Sequence, residues 1–223
     1  MRLAPEGLPF ILGFALLGGA GWALAAAGIG PVRAVGFGAG IFGVLTLFSL
    51  WFFRNPAPTV PADERLVVAP GQGKIIGIGE AVEPTYIGGP ARKIVIFLNV
   101  FDVHVQRAPV SGLVEHRVYK PGAYAVAWAD KASDINEQAS LGIATDDGKV
   151  LVRQIAGLVA RRIVTDPSVG DTLIRGDRFG LIRFGSRVDL FLPLEWEVLA
   201  EVGDKVVVGE TPLARRVASG TRP

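Results

Sequence analysis

The chain has 223 residues, half of them apolar, with 23 basic against 21 acidic side chains. It contains no cysteine and two histidines, which excludes disulfides, a cysteine nucleophile and a zinc site built from cysteine or several histidines. Beyond residue 54 the basic and acidic residues number 20 each, so that part has no net charge to attract nucleic acid. We therefore predict neither a metal site nor a nucleic-acid partner.

Two long apolar runs open the chain, at residues 8–29 and 34–53. At about 1.5 Å of rise per residue, each is long enough to cross a hydrocarbon layer of roughly 30 Å. Only four residues separate the runs, which predicts a tight helical hairpin within a membrane anchor spanning residues 1–54. A paired re-entrant insertion and a cleaved signal peptide at the first run are the alternatives.

The flanks of these runs predict how the anchor is oriented. Trp51, Phe52 and Phe53 form an aromatic belt, and Arg54 follows as a cation that reaches back to the interface. Arg2 and Arg54 lie at the same end of the hairpin, so positive-inside logic places both chain ends in the cytoplasm. A catalytic domain would then lie on the cytoplasmic face of the inner membrane. Gly36 and Gly40 form a G-x-x-x-G pair, which predicts a close helix contact.

Residues 55–65 are a proline-rich linker, and residues 66–223 alternate short apolar segments with glycine and proline turns. This pattern predicts a mainly β domain, a barrel or sandwich. The stretch DKASDINEQA (130–139) is predicted as a short helical or loop insertion. The predicted strands are Leu66–Ala69, Lys74–Ile78, Lys93–Val100, Val103–Arg107, Leu113–Tyr119, Lys149–Ala156, Val159–Val164, Arg178–Phe184, Val188–Phe191 and Val206–Val208.

A short internal echo supports the β prediction. VGDTLIRG at 169–176 and VGDKVVVG at 202–209 share the pattern V-G-D-x4-G. The spacing suits two similar β-hairpins, as in barrel-sandwich hybrid domains.

His104 lies in the alternating segment Asp102–Arg107, which puts Asp102, His104 and Gln106 on the opposite face to Val103 and Val105. By itself this segment predicts a histidine on a solvated polar face of a strand. His116 lies in a similar strand without a neighbouring motif, and we interpret it as an ordinary polar-face residue.

Gly185-Ser186 by itself is typical of a turn entering a strand, but it occurs within an ordered set of motifs. FFRNP (52–56), IFLNVFDVHVQRAPVSG (96–112), DKASDINE (130–137) and RFGSRVDLFLP (183–193) follow one another after an apolar N-terminus. This set resembles the short bacterial and archaeal form of phosphatidylserine decarboxylase, a pyruvoyl-dependent enzyme made as a proenzyme.

The resemblance implies self-cleavage between Gly185 and Ser186 and a pyruvoyl cofactor made from Ser186. The partners implied are a membrane phospholipid and the chain's own two pieces, residues 1–185 and 186–223. The pyruvoyl group would hold the lipid's serine amine as a Schiff base and act as the electron sink for decarboxylation. His104 is implied as the proton-transferring residue.

Three departures from the family pattern concern the residues around the cut. Longer relatives carry H-x-x-H, whereas the second position here is Arg107. Gln72 stands where the family commonly has an aspartate that orients the histidine, and Gln138 where it has an arginine. Asp102 is a candidate replacement for the missing carboxylate, so Asp102 and Gln72 are supporting site residues.

Two alternatives remain beside phosphatidylserine decarboxylation. One is an archaetidylserine decarboxylase, which acts on an ether lipid with the same headgroup. The other is a non-enzymatic, membrane-anchored barrel-sandwich adaptor, which explains the internal echo but not the motifs around His104 and Ser186.

Overall fold

The computed structural model of the protein describes residues 2–122, 136–157, 162–183 and 186–217. The chain divides into two compact units, Met1–Ala57 and Pro58–Pro223. The first unit is helical and the second is built of strands, as the hydropathy pattern predicts. Each unit is described by itself below.

The N-terminal unit is a helical hairpin. A 3-10 turn at Pro5–Gly7 leads into α1 (Leu8–Ala26), and α2 (Val32–Phe52) returns after a short loop. Both helices are long and apolar enough to cross a membrane. The open end of the hairpin is closed by main-chain hydrogen bonds from Ala4 to Phe53 and from Asn55 to Arg2.

The close contact between the helices does not involve the predicted G-x-x-x-G pair. A Cβ atom added at Gly36 or Gly40 would meet no atom within 4 Å among the described residues. Gly18 and Gly21 of α1 instead provide the flat surface, on which Ala39 of α2 packs. The prediction for Gly36 and Gly40 is therefore wrong, because these glycines face away from α1.

Fourteen strands form the second unit in the described residues, and most predicted strands are confirmed with shifted ends. They are β1 (Leu66–Val68), β2 (Gly73–Glu83), β3 (Gly89–Leu98), β4 (Val105–Arg107), β5 (Gly112–Lys120), β6 (Gln138–Thr145), β7 (Gly148–Ala156), β8 (Ile163–Thr165), β9 (Thr172–Leu173), β10 (Arg178–Ile182), β11 (Ser186–Leu192), β12 (Glu197–Val198), β13 (Lys205–Val206) and β14 (Pro212–Arg215).

Eight of these strands form one large curled sheet in the order β13-β2-β3-β11-β7-β6-β5-β9. Two three-stranded sheets accompany it, β4-β10-β8 and β1-β14-β12. Apolar side chains between the sheets make one continuous core, for example Ile96, Val152, Phe179 and Leu190. The mainly β fold predicted from the sequence is thus confirmed.

Only part of the predicted insertion at 130–139 can be compared with the structure, since residues 130–135 lie outside the described residues. Gln138 and Ala139 begin strand β6, so the prediction is wrong at this end. The small residues of QASLGIAT gave no strand signal, yet they fit between β5 and β7, where the first six positions are buried. Residues 159–161 of the strand predicted at 159–164 also lie outside the described residues.

The internal echo corresponds to a repeated turn, although not to hairpins. Gly170 and Gly203 both adopt positive φ, at 98° and 109°, and each is followed by an aspartate that accepts a backbone hydrogen bond from three residues earlier. The two-residue strands that follow, β9 and β13, pair with β5 and β2 at opposite ends of the large sheet. The prediction of hairpins is wrong because each copy pairs with a strand far away in sequence.

Glu83 closes the hairpin between β2 and β3. Its buried carboxylate accepts hydrogen bonds from the backbone amides of Tyr86 and Ile87 and pairs with Arg153 at 2.8 Å. Burial raises the pKa of Glu83, but the hydrogen bonds, led by that from the Thr85 hydroxyl, outweigh it and lower the pKa to about 2.

We expect Glu83→Gln to destabilise the β unit at neutral pH by on the order of 3 kcal/mol. Because the folded pKa lies below the unfolded value, this stabilisation is present above about pH 4.5 and is lost as the pH falls toward 2. Thermal unfolding of both proteins from pH 7 to pH 3 measures it. A difference in unfolding temperature that stays constant over this range would contradict the assignment.

Candidate active site

Ser186 is the first residue of β11, in the middle of the large sheet. It pairs with Leu98 of β3 on one side and with Ala156 of β7 on the other. The residue is fully buried, and its Oγ has no hydrogen-bond partner among the described residues. Gly185, predicted to precede the cut, lies outside the described residues.

Buried charges hold β11 on the face opposite to Ser186. Arg187 donates to both carboxylate oxygens of Asp189, at 2.6 and 3.0 Å, and Lys93 of β3 approaches the same carboxylate at 2.9 Å. Arg187 and Asp189 are both buried, so their charges are stabilised mainly by each other and by Lys93. Together with the two strand ladders, this cluster fixes the position of the residue next to Ser186.

The sheet β4-β10-β8 packs over the Ser186 face of the large sheet. In the small sheet, Gln106 pairs with Gly180, which pairs with Thr165. The side chain of Gln154, in β7 of the large sheet, contacts two residues of the small sheet. It donates to Gln106 Oε1 at 2.7 Å and accepts from the Thr165 hydroxyl at 2.6 Å. These contacts fix the register of one sheet above the other.

His104 adjoins the end of this small sheet. Ile182, the last residue of β10, donates to the main-chain carbonyl of His104 at 3.3 Å and pairs with Ile163. Ser186, the first residue of β11, follows Ile182 by four residues in the chain. Ala156 is the strand partner of Ser186.

His104 is fully buried between the sheets, so the expectation of a solvated polar strand face is wrong. The alternation is present, but β10 and β7 cover the side that it assigned to solvent. The His104 Nδ1 atom lies 3.0 Å from the main-chain oxygen of Asp102. Since a carbonyl oxygen only accepts, Nδ1 carries the hydrogen, and Nε2 of the neutral ring is the basic nitrogen.

The Asp102 side chain stabilises the turn before His104. Its carboxylate accepts a hydrogen bond from the Asn99 amide at 2.9 Å, and the Asn99 side chain accepts one from the Phe101 amide at 2.8 Å. Asp102 also contacts the imidazole through its main-chain carbonyl, which orients the ring.

Gln72 lies in a segment that approaches the large sheet closely. A Cβ atom at Gly71 would contact Val188 at 3.4 Å and Leu98 at 3.5 Å. One at Gly73 would collide with the main-chain oxygen of Phe97. The half-buried side chain at position 72 is thereby held beside residues that adjoin Ser186.

Arg107 and His116 lie away from this site. Arg107 donates to the carbonyl of Gly176 at 2.8 Å, and burial lowers its pKa. It follows Gln106 in the strand and so lies on the opposite face of β4 from His104. His116 belongs to the far face of the large sheet, where it stacks on Tyr86 with ring centroids 5.3 Å apart.

The far face also carries a cavity of about 420 Å³, which neither Ser186 nor His104 lines. Its polar lining includes His116, Lys120 and Arg153. In the described part of the chain, no group of three or more histidine or acidic side chains is arranged to hold a metal ion.

Comparison with known proteins gives a consistent answer over almost the whole chain. The model of the family described as phosphatidylserine decarboxylase matches residues 45–214. The chain is similar to proteins named phosphatidylserine decarboxylase proenzyme from Symbiobacterium thermophilum (47% identical, covering 96% of this chain and 95% of the relative) and Geobacter metallireducens (47%, covering 95% of each). A third, from Salinibacter ruber, is 46% identical and covers 90% of this chain and 87% of the relative.

Proposed function

The chain belongs to the phosphatidylserine decarboxylase family, and from this premise we propose that it converts phosphatidylserine to phosphatidylethanolamine. The observation that carries the proposal is the buried hydroxyl of Ser186, which has no hydrogen-bond partner among the described residues and lies on the face of the large sheet that β4-β10-β8 covers. An adaptor domain has no need of a buried serine and a buried histidine in the same domain. The relatives named above are proenzymes by description, which also favours the enzyme.

Maturation begins with attack of the Ser186 hydroxyl on the carbonyl carbon of Gly185. The hydroxyl proton passes to a base, the peptide bond becomes an ester, and the amine of residue 186 is freed. Elimination then releases the Gly185 carboxylate and leaves dehydroalanine, which water converts to a pyruvoyl group and ammonia. The products are the pieces 1–185 and 186–223, which remain together as one heterodimer.

His104 is the base in this scheme. Serine is a poor nucleophile until a neighbouring group accepts its proton, and neutral imidazole does so near pH 7. The hydrogen bond from Nδ1 to the Asp102 carbonyl supports this role, because it leaves Nε2 as the basic atom. In the mature enzyme the same nitrogen, once protonated, returns a proton to the carbon from which carbon dioxide has left.

The surroundings of Ser186 fit a pyruvoyl group. The side chain is shielded from water, its oxygen has no partner in the described residues, and the strand behind it is fixed on both sides. Once present, the pyruvoyl group supplies a carbonyl that binds the lipid's amine and withdraws electrons as carbon dioxide leaves. The protein's share is to orient the substrate, exclude water and move the proton.

The helical unit gives this enzyme access to its substrate. Two helices of membrane-spanning length and composition precede the β unit, and a lipid headgroup is available only at the bilayer surface. The charge pattern around Arg2, Arg33 and Arg54 supports insertion in the inner membrane with the β unit on the cytoplasmic side.

Self-cleavage is the direct test of the proposed function. We expect a denaturing gel of the purified protein to show a small piece of 38 residues, whose intact mass corresponds to a pyruvoyl group in place of serine. Ser186→Ala should remain one band without decarboxylase activity, since it lacks the nucleophile and the precursor of the cofactor. A free serine amine on the small piece would indicate proteolysis by another enzyme and contradict the proposal.

The two histidines provide a matched pair for testing the base. We expect His104→Ala to remain largely uncut, because no base then accepts the Ser186 proton, while His116→Ala cleaves at the wild-type rate. His116 is a fair control because it is a partly buried histidine in the large sheet that contains Ser186, but on the far face of that sheet. Equal cleavage of both variants on a gel time course would exclude His104 as the base.

A substitution at position 72 tests whether the lack of a carboxylate there slows self-cleavage. An aspartate there would favour the charged form of a nearby histidine and so assist proton transfer, whereas Gln72 cannot. We therefore expect self-cleavage to be slow in this protein and Gln72→Asp to accelerate it. The acceleration should be roughly tenfold if the aspartate raises the pKa of His104 by one unit. Unchanged or slower cutting would leave Asp102 or a water molecule as the group that assists His104.

A further inference from the structure

A chain of three polar side chains runs between the two sheets, one step along the strands from Ser186. The Thr165 hydroxyl donates to Gln154 Oε1 at 2.6 Å, and Gln154 Nε2 donates to Gln106 Oε1 at 2.7 Å. The three residues come from β8, β7 and β4, so the chain forms only when both sheets are in place. The roles proposed above for His104 and Ser186 make no use of it.

A main-chain carbonyl fixes the direction of this hydrogen-bond chain. Gln154 Nε2 lies 3.3 Å from the Val164 oxygen, which accepts only, so this end of the Gln154 amide must be the nitrogen. The neighbouring atom of Gln106 must then be its oxygen. The other end of the Gln106 amide is consequently Nε2, a donor.

That donor has no acceptor among the described residues, although Gln106 is fully buried. A buried amide left unpaired is unfavourable, and the Gln106 side chain is held in place at its other end. Gly180, its strand partner, strengthens the restraint, because a Cβ atom there would lie 3.0 Å from Gln154 Nε2. The packing thus keeps an unpaired donor in the buried layer between the two sheets.

The neighbourhood of Ser186 identifies the acceptor. Gln154 is the strand partner of Val188, and Ser186 is two residues before Val188 on the same face of β11. Gln106 therefore lies one step from the atom that binds the substrate's amine in the proposed function. In a serine headgroup the carboxylate is attached to the same carbon as the amine, whereas the phosphate is further away along the side chain.

We propose that Gln106 Nε2 donates to the carboxylate of the substrate's serine headgroup. The inference rests on the proposed function and adds a substrate-binding residue to it. A neutral amide suits this task, since the carboxylate leaves as uncharged carbon dioxide. A cation would stabilise the bound substrate more than the transition state and so slow the reaction.

The test compares two ligands that differ only in this carboxylate. Mature wild-type, Gln106→Met and Gln106→Glu enzymes are assayed in detergent micelles with phosphatidylserine, and phosphatidylethanolamine is titrated as an inhibitor. Methionine removes both hydrogen bonds at similar volume, while glutamate keeps the acceptor for Gln154 and loses the donor. Gln106→Asn, which retains the amide, serves as the conservative variant.

We expect kcat/KM for phosphatidylserine to fall roughly ten- to a hundred-fold in the Met and Glu variants, the range for losing a hydrogen bond to a charged group. The inhibition constant of phosphatidylethanolamine should change less than about twofold, and Gln106→Asn should recover part of the loss. If Gln106 had a merely structural role, its substitution would weaken the binding of both ligands alike, and that result would overturn the inference.

The gel separates this inference from the proposed function. Met and Glu variants that remain uncut would assign the amide to maturation and overturn its role in substrate binding. Unchanged kcat/KM in cut variants would do the same. A wild-type protein that is neither cut nor active would instead refute the proposed function itself.

Discussion

The stacking of the small sheet β4-β10-β8 on the middle of the large sheet is the constraint on which the site depends. It places four polar side chains, His104, Gln106, Gln154 and Ser186, in a layer from which water is excluded. Gln106, Gln154 and Ser186 are positioned by main-chain ladders, and His104 lies directly before β4, so their relative heights depend on strand register. A slip of one residue in β4 would turn both His104 and Gln106 away from Ser186.

Burying so many polar groups is unfavourable unless each finds a partner. Here most partners are main-chain carbonyls or neutral amides, as at Asp102 and Val164, and the formal charges of Arg187 and Asp189 lie on the opposite face. A layer shielded from water suits a reaction in which a carboxylate disappears, because the charged ground state gains little from it. The order of motifs in the sequence carries no sign of this separation.

The amino-acid pattern predicted much of the fold for simple reasons. Uncharged runs of helical length and short apolar segments between glycines are local signals, and they identified both helices and most strands. Strand β6 was not predicted because its residues are mostly small rather than β-branched. His104 was assigned to a solvent-exposed face because the alternation of residues cannot show that a second sheet covers that face. Pairing partners such as β9 with β5 are likewise invisible in local sequence.

The residues of the candidate site also fall into those that local sequence identifies and those that it does not. Ser186 and His104 belong to motifs whose order could be recognised, whereas Gln106, Gln154 and Thr165 come together across separations of 48 and 11 residues. The main-chain contact from Asp102 was equally inaccessible, since only its side chain enters a motif.

The position of β11 in the middle of the large sheet determines how the two pieces of the cut protein are held together. The proposed small piece contributes the central strand β11 and the edge strand β13 to the large sheet, and β12 and β14 to another, so the two pieces interleave rather than lie side by side. The mature enzyme would therefore migrate as a single particle on a sizing column. Its unfolding, unlike that of the uncut chain, would be a dissociation, with a midpoint that rises with protein concentration.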